Sequence, residues 1–237
     1  MADRLRIPAR DRLIVALDVP TVEEARQVVA RLGDAVTFYK VGLQLLFSGG
    51  LELGNELVGQ GKNVFLDAKL LDIGETVRNA VANVARLGVR FLTVHGDKRA
   101  IRAAVEGRDG DTALKILAVT VLTSLDQSDL DELHIPMTVA EWVALRARHA
   151  LAAGCDGVIA SGLEVAQLRQ QLGAGSLIIT PGVRSPGASH DDQRRVTTPA
   201  EAIQAGADYV VVGRQILRAS DQRRAAMAVV EEIEAVG

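Results

Sequence analysis

Apolar residues along the chain fall into two alternating patterns. Short runs rich in Val, Ile and Leu recur at residues 12–18 (RLIVALD), 36–42 (VTFYKVG), 63–69 (NVFLDAK), 90–96 (RFLTVHG), 115–122 (KILAVTVL), 156–161 (DGVIAS), 176–181 (SLIITP) and 208–213 (DYVVVG). Most are apolar at consecutive positions, as expected of parallel strands covered on both faces. Between them lie longer amphipathic stretches with helix start and stop signals. Thr21 precedes Glu24, and Thr138 precedes Glu141, at the spacing of a capping box. Thr198 repeats it with Glu201 and adds Pro199 at the first helical position. Gly33, Gly88, Gly154, Gly173 and Gly206 stand where five of the helices should end.

Strand and helix alternate through eight such units, with a weak internal repeat visible in LGVRFLTVHG, AGCDGVIASG and AGADYVVVGR. This predicts an α/β fold, a (β/α)8 TIM barrel in a single domain, with a doubly wound open sheet as the alternative. No linker rich in Pro, Ser or charge divides the chain. The widest gap, 123–155, is expected to hold an elaborated loop with a short helical piece before its long helix.

Composition narrows the picture. With 48% hydrophobic residues in 237, the chain is not of a disordered kind. A net charge of −3 leaves no broad electrostatic footprint for nucleic acid. One cysteine fits a reducing compartment. No apolar run is long enough for a membrane span, and the start, MADRLRIPARDR, lacks the apolar core of a signal peptide, so a cytoplasmic protein is expected. Aromatics amount to only 3%, which predicts a core of Ala, Val, Leu and Ile.

Barrels of this kind carry their reactive groups at the C-terminal ends of the strands. Here those ends hold Asp18, Lys40, Asp67, Lys69, His95, Thr123, Ser161, Arg184 and Arg214. Asp67 and Lys69 are two apart on a strand, so both should point to one face with Phe65. Asp18 and Lys40 follow the same parity, so four charges of alternating sign should converge inside the mouth, where Asp72 could join them. From the charges alone, a structural ion-pair network and a reactive centre both stand. A metal site on Asp67 and Asp72 is disfavoured by the interleaved lysines, and none is expected.

Two further segments suit an anion. The loop TPGVRSPGASHDDQRRV, residues 180–196, is long for a compact domain, and reads either as a plain surface connection or as a lid over 182–195 bringing Arg184 and Gln193 onto a ligand. In VVVGRQIL, residues 210–217, a strand ends at Gly213 and a helix begins, where backbone N–H groups and Arg214 can hold phosphate. His134, His149 and His190 lack metal-ligand spacing and read as surface groups, Cys155 as a small buried residue, and Trp142 as core.

The run DAKLLDIGETV, residues 67–77, resembles the D-x-K-x-x-D-I-x-x-T-V signature of the orotidine 5′-phosphate decarboxylase family. IVALDV (Asp18), FYKVGLQL (Lys40), VTVLTS (Thr123), PGVR (Arg184), DDQRRV (Gln193) and VVGR (Arg214) follow in the family's order, so the resemblance spans nearly the whole chain. It implies a (β/α)8 barrel that converts orotidine 5′-monophosphate to uridine 5′-monophosphate in pyrimidine synthesis without metal or cofactor. By this resemblance Lys69 gives a proton to C6, and Asp67 lies beside the departing carboxylate. Lys40 and Asp72 complete the charge network, and Asp18 and Lys40 hold ribose hydroxyls. Thr123 lies against the pyrimidine, with Arg184, Gln193, Gly213 and Arg214 on the phosphate side. The resemblance further implies a homodimer in which Asp72 and Thr76 reach the neighbouring site. Gly74 stands where Pro is frequent, and Leu71 where His is frequent; both bear on local loop geometry. Two other readings are an Mg²⁺-dependent sugar-phosphate decarboxylase or aldolase with a related D-x-K-x-x-D core, and a non-catalytic nucleotide-phosphate binding barrel. The first tends to carry Glu where this chain has Lys40, and lacks the Gln-bearing Arg loop. The second has no use for Lys69 between two aspartates.

Overall fold

The computed structural model describes residues 7–95, 97–185 and 197–237. A short helix α1 (Ala9–Arg12) leads into β1 (Leu13–Ala16), followed by α2 (Val22–Leu32) and β2 (Phe38–Gly42). Then come α3 (Leu43–Leu46), α4 (Gly50–Gly59), β3 (Asn63–Leu70), α5 (Gly74–Ala85), β4 (Phe91–Val94), α6 (Lys98–Gly107) and β5 (Lys115–Val119). The second half holds α7 (Gln127–Glu132), α8 (Val139–Ala152), β6 (Gly157–Ile159), α9 (Val165–Leu172), β7 (Leu177–Pro181), α10 (Pro199–Ala205), β8 (Tyr209–Val212), α11 (Arg214–Leu217) and α12 (Gln222–Glu234). All eight strands pair in parallel and in chain order, and β8 closes on β1. The α/β fold is therefore a closed barrel, and the open-sheet alternative falls.

The helix signals act as their chemistry requires. Thr138 and Thr198 each accept from the N–H three residues on, while Glu141 and Glu201 reach back to the capping N–H. At Thr21 the hydroxyl accepts from the Glu24 N–H. Gly206 ends α10 in the left-handed region at φ +117°, and a Cβ there would lie 2.9 Å from Arg169 Cγ.

The internal repeat has a physical basis too. Asp156 and Asp208 occupy equivalent places just before β6 and β8. Each exchanges hydrogen bonds with the preceding strand: Ile116 N–H donates to Asp156 and Ile178 N–H to Asp208, both at 2.8 Å. Each carboxylate also takes an arginine, Arg108 or Arg169. These pairs pin the register at the end of the barrel opposite the strands' C-termini.

The barrel has two apolar layers. Outside, Val, Leu, Ile and Ala from strands and helices form a continuous core, as the low aromatic content predicts. Inside, the expectation of an aliphatic core fails. Phe38, Phe65, Phe91 and Tyr209 fill the lumen with Ile14, Leu117, Ile179 and Val211. Their rings meet edge-on or tilted at centroid distances of 5.0–6.0 Å. Such pairs add about 0.5–1.5 kcal/mol each beyond burial. The chain's few aromatics are thus concentrated where an eight-stranded lumen needs volume. Lys40 and Asp67 stand one step further along the same inward-facing rows, above Phe38 and Phe65.

Candidate active site

Parity along β1, β2 and β3 carries Asp18, Lys40 and Asp67 into the mouth, and an irregularity in β3 brings Lys69 to them. Lys40 is 8% exposed, and its ammonium lies 3.0 Å from Asp18 Oδ1 and 3.5 Å from Asp67 Oδ2. Lys69 Nζ lies 2.7 Å from Asp67 Oδ1. The array therefore reads Asp18, Lys40, Asp67, Lys69, alternating in sign. Burial opposes the Lys40 charge, but Asp18 and Asp67 outweigh it and hold its pKa above the ordinary lysine value. Burial also opposes the Asp67 charge, and Lys40, Lys69 and the Thr93 hydroxyl together hold its carboxyl below the ordinary aspartate value. Gly42, at the end of β2, leaves the room for this: a Cβ there would stand 2.8 Å from Lys40 Nζ and 3.2 Å from Asp18 Oδ1.

Asp67 and Lys69 are brought together differently from the regular alternation expected of a strand. Leu66 pairs with Leu92 and Leu70 with Val94, so three residues of β3, 67–69, span the place of the single residue Thr93 on β4. Lys69 lies within this bulge at φ +48°, in a left-handed conformation rare for a side-chain-bearing residue. The Thr93 hydroxyl fills the gap, accepting from the Lys69 N–H at 3.0 Å and donating to Asp67 Oδ1 at 2.9 Å. Thr93 belongs to none of the sequence motifs. Its only signal was one hydroxyl on the inward face of FLTVHG, between Phe91 and His95. Burial, with the charges of Arg146 and Lys69, holds the His95 pKa below the ordinary imidazole value.

A cavity opens above the array in two joined lobes that share Lys40, Asp67, Lys69, Thr123, Pro181 and Val211 as walls. One lobe, about 140 Å³, is lined by Phe65, Val119, Val121, Leu122 and Ile159 and is largely apolar. The other, about 270 Å³, adds Asp18, Gly182, Arg184, Gly213 and Arg214. Arg184 is buried; its backbone N–H donates to Thr197 O at 2.9 Å, and its guanidinium to Val183 O at 2.8 Å. Gly213 caps the four-residue helix α11, which Arg214 begins.

Other expected site residues stand apart. Asp72 does not join the charge array of its own chain: it is exposed and accepts from the Ile73 N–H at 2.6 Å, and among the described residues it pairs with neither Lys40 nor Lys69. The chain leaves β3 at Leu70, which carries Asp72 outward. Thr76, on the first turn of α5, is exposed as well. Gln193 and His190 lie outside the described residues. Trp142 is half-buried and packs against the edge of the outer core, with the Arg146 guanidinium 5.8 Å from its ring centroid. Cys155 is buried, and burial first, then Asp156, pushes its thiol up to about 12, which leaves it no thiolate at neutral pH. Among the described residues no three His, Cys, Asp or Glu side chains gather as metal ligands would, and no helix is long and apolar enough to cross a membrane.

Fold and site together place the chain among (β/α)8-barrel enzymes that work at the C-terminal mouth. A family model described as orotidine 5′-phosphate decarboxylase / HUMPS family matches residues 11–229. The orotidine 5′-phosphate decarboxylase of Afipia carboxidovorans is 54% identical over 224 residues, covering 94% of this chain and 95% of that protein. The one from Methylobacterium nodulans is 51% identical, covering 95% and 97%. The crystal structure of orotidine 5′-phosphate decarboxylase from Lactobacillus acidophilus superposes with a TM-score of 0.82 at 37% identity, covering 98% of this chain and 99% of that one. The chain belongs to the orotidine 5′-phosphate decarboxylase / HUMPS family.

Proposed function

We propose that this protein decarboxylates orotidine 5′-monophosphate to uridine 5′-monophosphate, as a step of pyrimidine synthesis in the cytoplasm, with one barrel domain whose phosphate-side loop spans about 182–195. The observation that carries this reading is the Asp–Lys–Asp–Lys array at the junction of an apolar lobe and an arginine-bearing lobe. A planar base fits the first lobe beside Thr123. The phosphate fits the second, between Arg184 and Arg214, with Gly213 beneath. Asp18 and Lys40 then meet the ribose hydroxyls between them.

The chemistry follows from the charges. The C6–carboxylate bond breaks heterolytically, its electron pair stays on C6, and CO2 departs. That pair lies in the ring plane, outside the π-system, so a fixed charge must stabilise it. The Lys69 ammonium supplies that charge and then donates its proton to C6; the amine regains a proton from solvent. Asp67, kept ionised by Lys40 and Lys69, faces the substrate carboxylate and disfavours it relative to the transition state. Phosphate contacts remote from C6 hold the ring in register. No cofactor takes part in this reading. In the homodimer we propose, Asp72 and Thr76 enter the neighbouring site. Leu71 and Ile73, which flank Asp72, are 62% and 73% exposed, an apolar pair suited to cover by a second subunit.

The test is turnover of orotidine 5′-monophosphate, followed by the change in ultraviolet absorbance, after dialysis against EDTA. Full activity is expected. Loss on chelation with recovery on adding Mg²⁺ would favour the metal-dependent relatives, and nucleotide binding without turnover the non-catalytic barrel.

A further inference from the structure

Thr93 is the residue around which the reactive pair is built, although it lines neither lobe of the cavity. It is fully buried, on β4, opposite the three-residue bulge of β3. A bulge leaves backbone groups without ladder partners, and a buried N–H without an acceptor costs about 1–3 kcal/mol. Here the Lys69 N–H finds its acceptor in the Thr93 hydroxyl, at 3.0 Å. The same hydroxyl has one proton, and it donates this to Asp67 Oδ1 at 2.9 Å, the oxygen that also takes the Lys69 ammonium at 2.7 Å. One side chain thus ties the left-handed backbone of Lys69 to the carboxylate that pairs with its ammonium. Valine, of nearly the same shape, could do neither.

We infer that Thr93 is a positioning residue for the reaction: its hydroxyl holds the Lys69 backbone in the bulge and orients the Asp67 carboxylate, so that ammonium and carboxylate meet the substrate in fixed register. The inference rests on the reading above, in which Lys69 protonates C6. The groups facing Asp67 are Lys40 from β2, Lys69 from its own strand and Thr93 from β4; Asp18 acts through Lys40.

The test compares Thr93→Val with Thr93→Ser. Displacing a reactive group by a fraction of an ångström to an ångström costs up to about a hundredfold, so Thr93→Val should lower kcat by about ten- to a hundredfold with KM within about threefold. Thr93→Ser, which keeps the hydroxyl, should restore kcat to within about threefold of wild type. The acid limb of kcat should move to higher pH in Thr93→Val and return in Thr93→Ser, because Asp67 loses and regains a bond to its charged form. Independently of turnover, amide exchange at Lys69, followed by NMR, should speed up in Thr93→Val and slow again in Thr93→Ser. Should Thr93→Val not fold, Thr93→Ala takes its place. Unchanged kcat and unchanged Lys69 exchange in the valine variant would overturn the inference. So would a serine variant as impaired as valine, since packing rather than the hydroxyl would then matter. If the wild-type protein does not turn over orotidine 5′-monophosphate, the functional reading falls, and the exchange comparison still decides the assignment of Thr93.

Discussion

The Lys69 ammonium lies 2.7 Å from the Asp67 carboxylate across a stretch in which the backbone of Lys69 itself is left-handed. This places the ammonium and its carboxylate partner on one short bulge. Lys69→Ala is expected to lower kcat by more than about a hundredfold, since it removes both the stabilising charge and the proton donor. Its melting temperature should stay close to wild type, because the Lys69 side chain is partly exposed and Asp67 keeps Lys40. Retained wild-type kcat would end the role given to Lys69.

Lys40 is the buried counterion that both carboxylates share. Its folded pKa lies above 10.5, so the stability it contributes is present below that value and fades only as pH rises past it. Asp67 has its folded pKa below 3.8, so its contribution is present above that value and is lost as pH falls further. Between these limits neither group should make stability depend on pH. Replacing Lys40 by Met leaves burial of the Asp67 charge opposed by fewer partners. The variant should lose roughly 3 kcal/mol in chemical denaturation at neutral pH, and its acid unfolding midpoint should rise.

Gly42 is expected to tolerate no side chain without disturbing the array. The atom a Cβ would meet is the far end of Lys40, at 2.8 Å, rather than backbone. Gly42→Ala should therefore keep its fold by circular dichroism while displacing the Lys40–Asp18 pair. Kinetics should show kcat/KM reduced by about tenfold or more. A variant with wild-type kinetics would remove Lys40 and Asp18 from ribose binding.

Arg184 and Arg214 line the polar lobe and should act mainly on the phosphate. A charge-assisted hydrogen bond contributes about 1.5–3 kcal/mol, so each alanine variant should lose about ten- to a hundredfold in kcat/KM. The penalty should nearly vanish with orotidine, which lacks the phosphate. Equal penalties on both substrates would place these arginines elsewhere in the mechanism.

Asp72 offers a test of assembly. Lys69→Ala and Asp72→Ala proteins should each be nearly inactive. In a homodimer where Asp72 serves the partner's site, mixed and re-equilibrated subunits form heterodimers with one intact site. Random reassortment should return about a quarter of wild-type activity. No recovery would mean that Asp72 serves its own chain or no site at all.

Much of this was legible in the residues. The eight strands, their order and the inward parity of Asp18, Lys40 and Asp67 follow from apolar runs whose lengths and flanks suit buried parallel strands. The capping residues are local devices and act locally. Asp72 shows the opposite case: five residues from Asp67 in the chain, it is turned away from the array as the strand ends. The aromatic lumen is not legible from composition, which counts rings without saying where they gather.

What the sequence determined by itself is therefore the ring of chemistry-bearing residues at the strand ends, since side-chain parity and strand order depend on near neighbours. What the tertiary structure alone decided is how Lys69 meets Asp67. The bulge exists only because β4 offers one residue where β3 offers three, and its N–H and carboxylate are satisfied by Thr93, 24 and 26 residues away. A hydrogen bond between strands depends on their register, and register is set by the closure of the whole barrel.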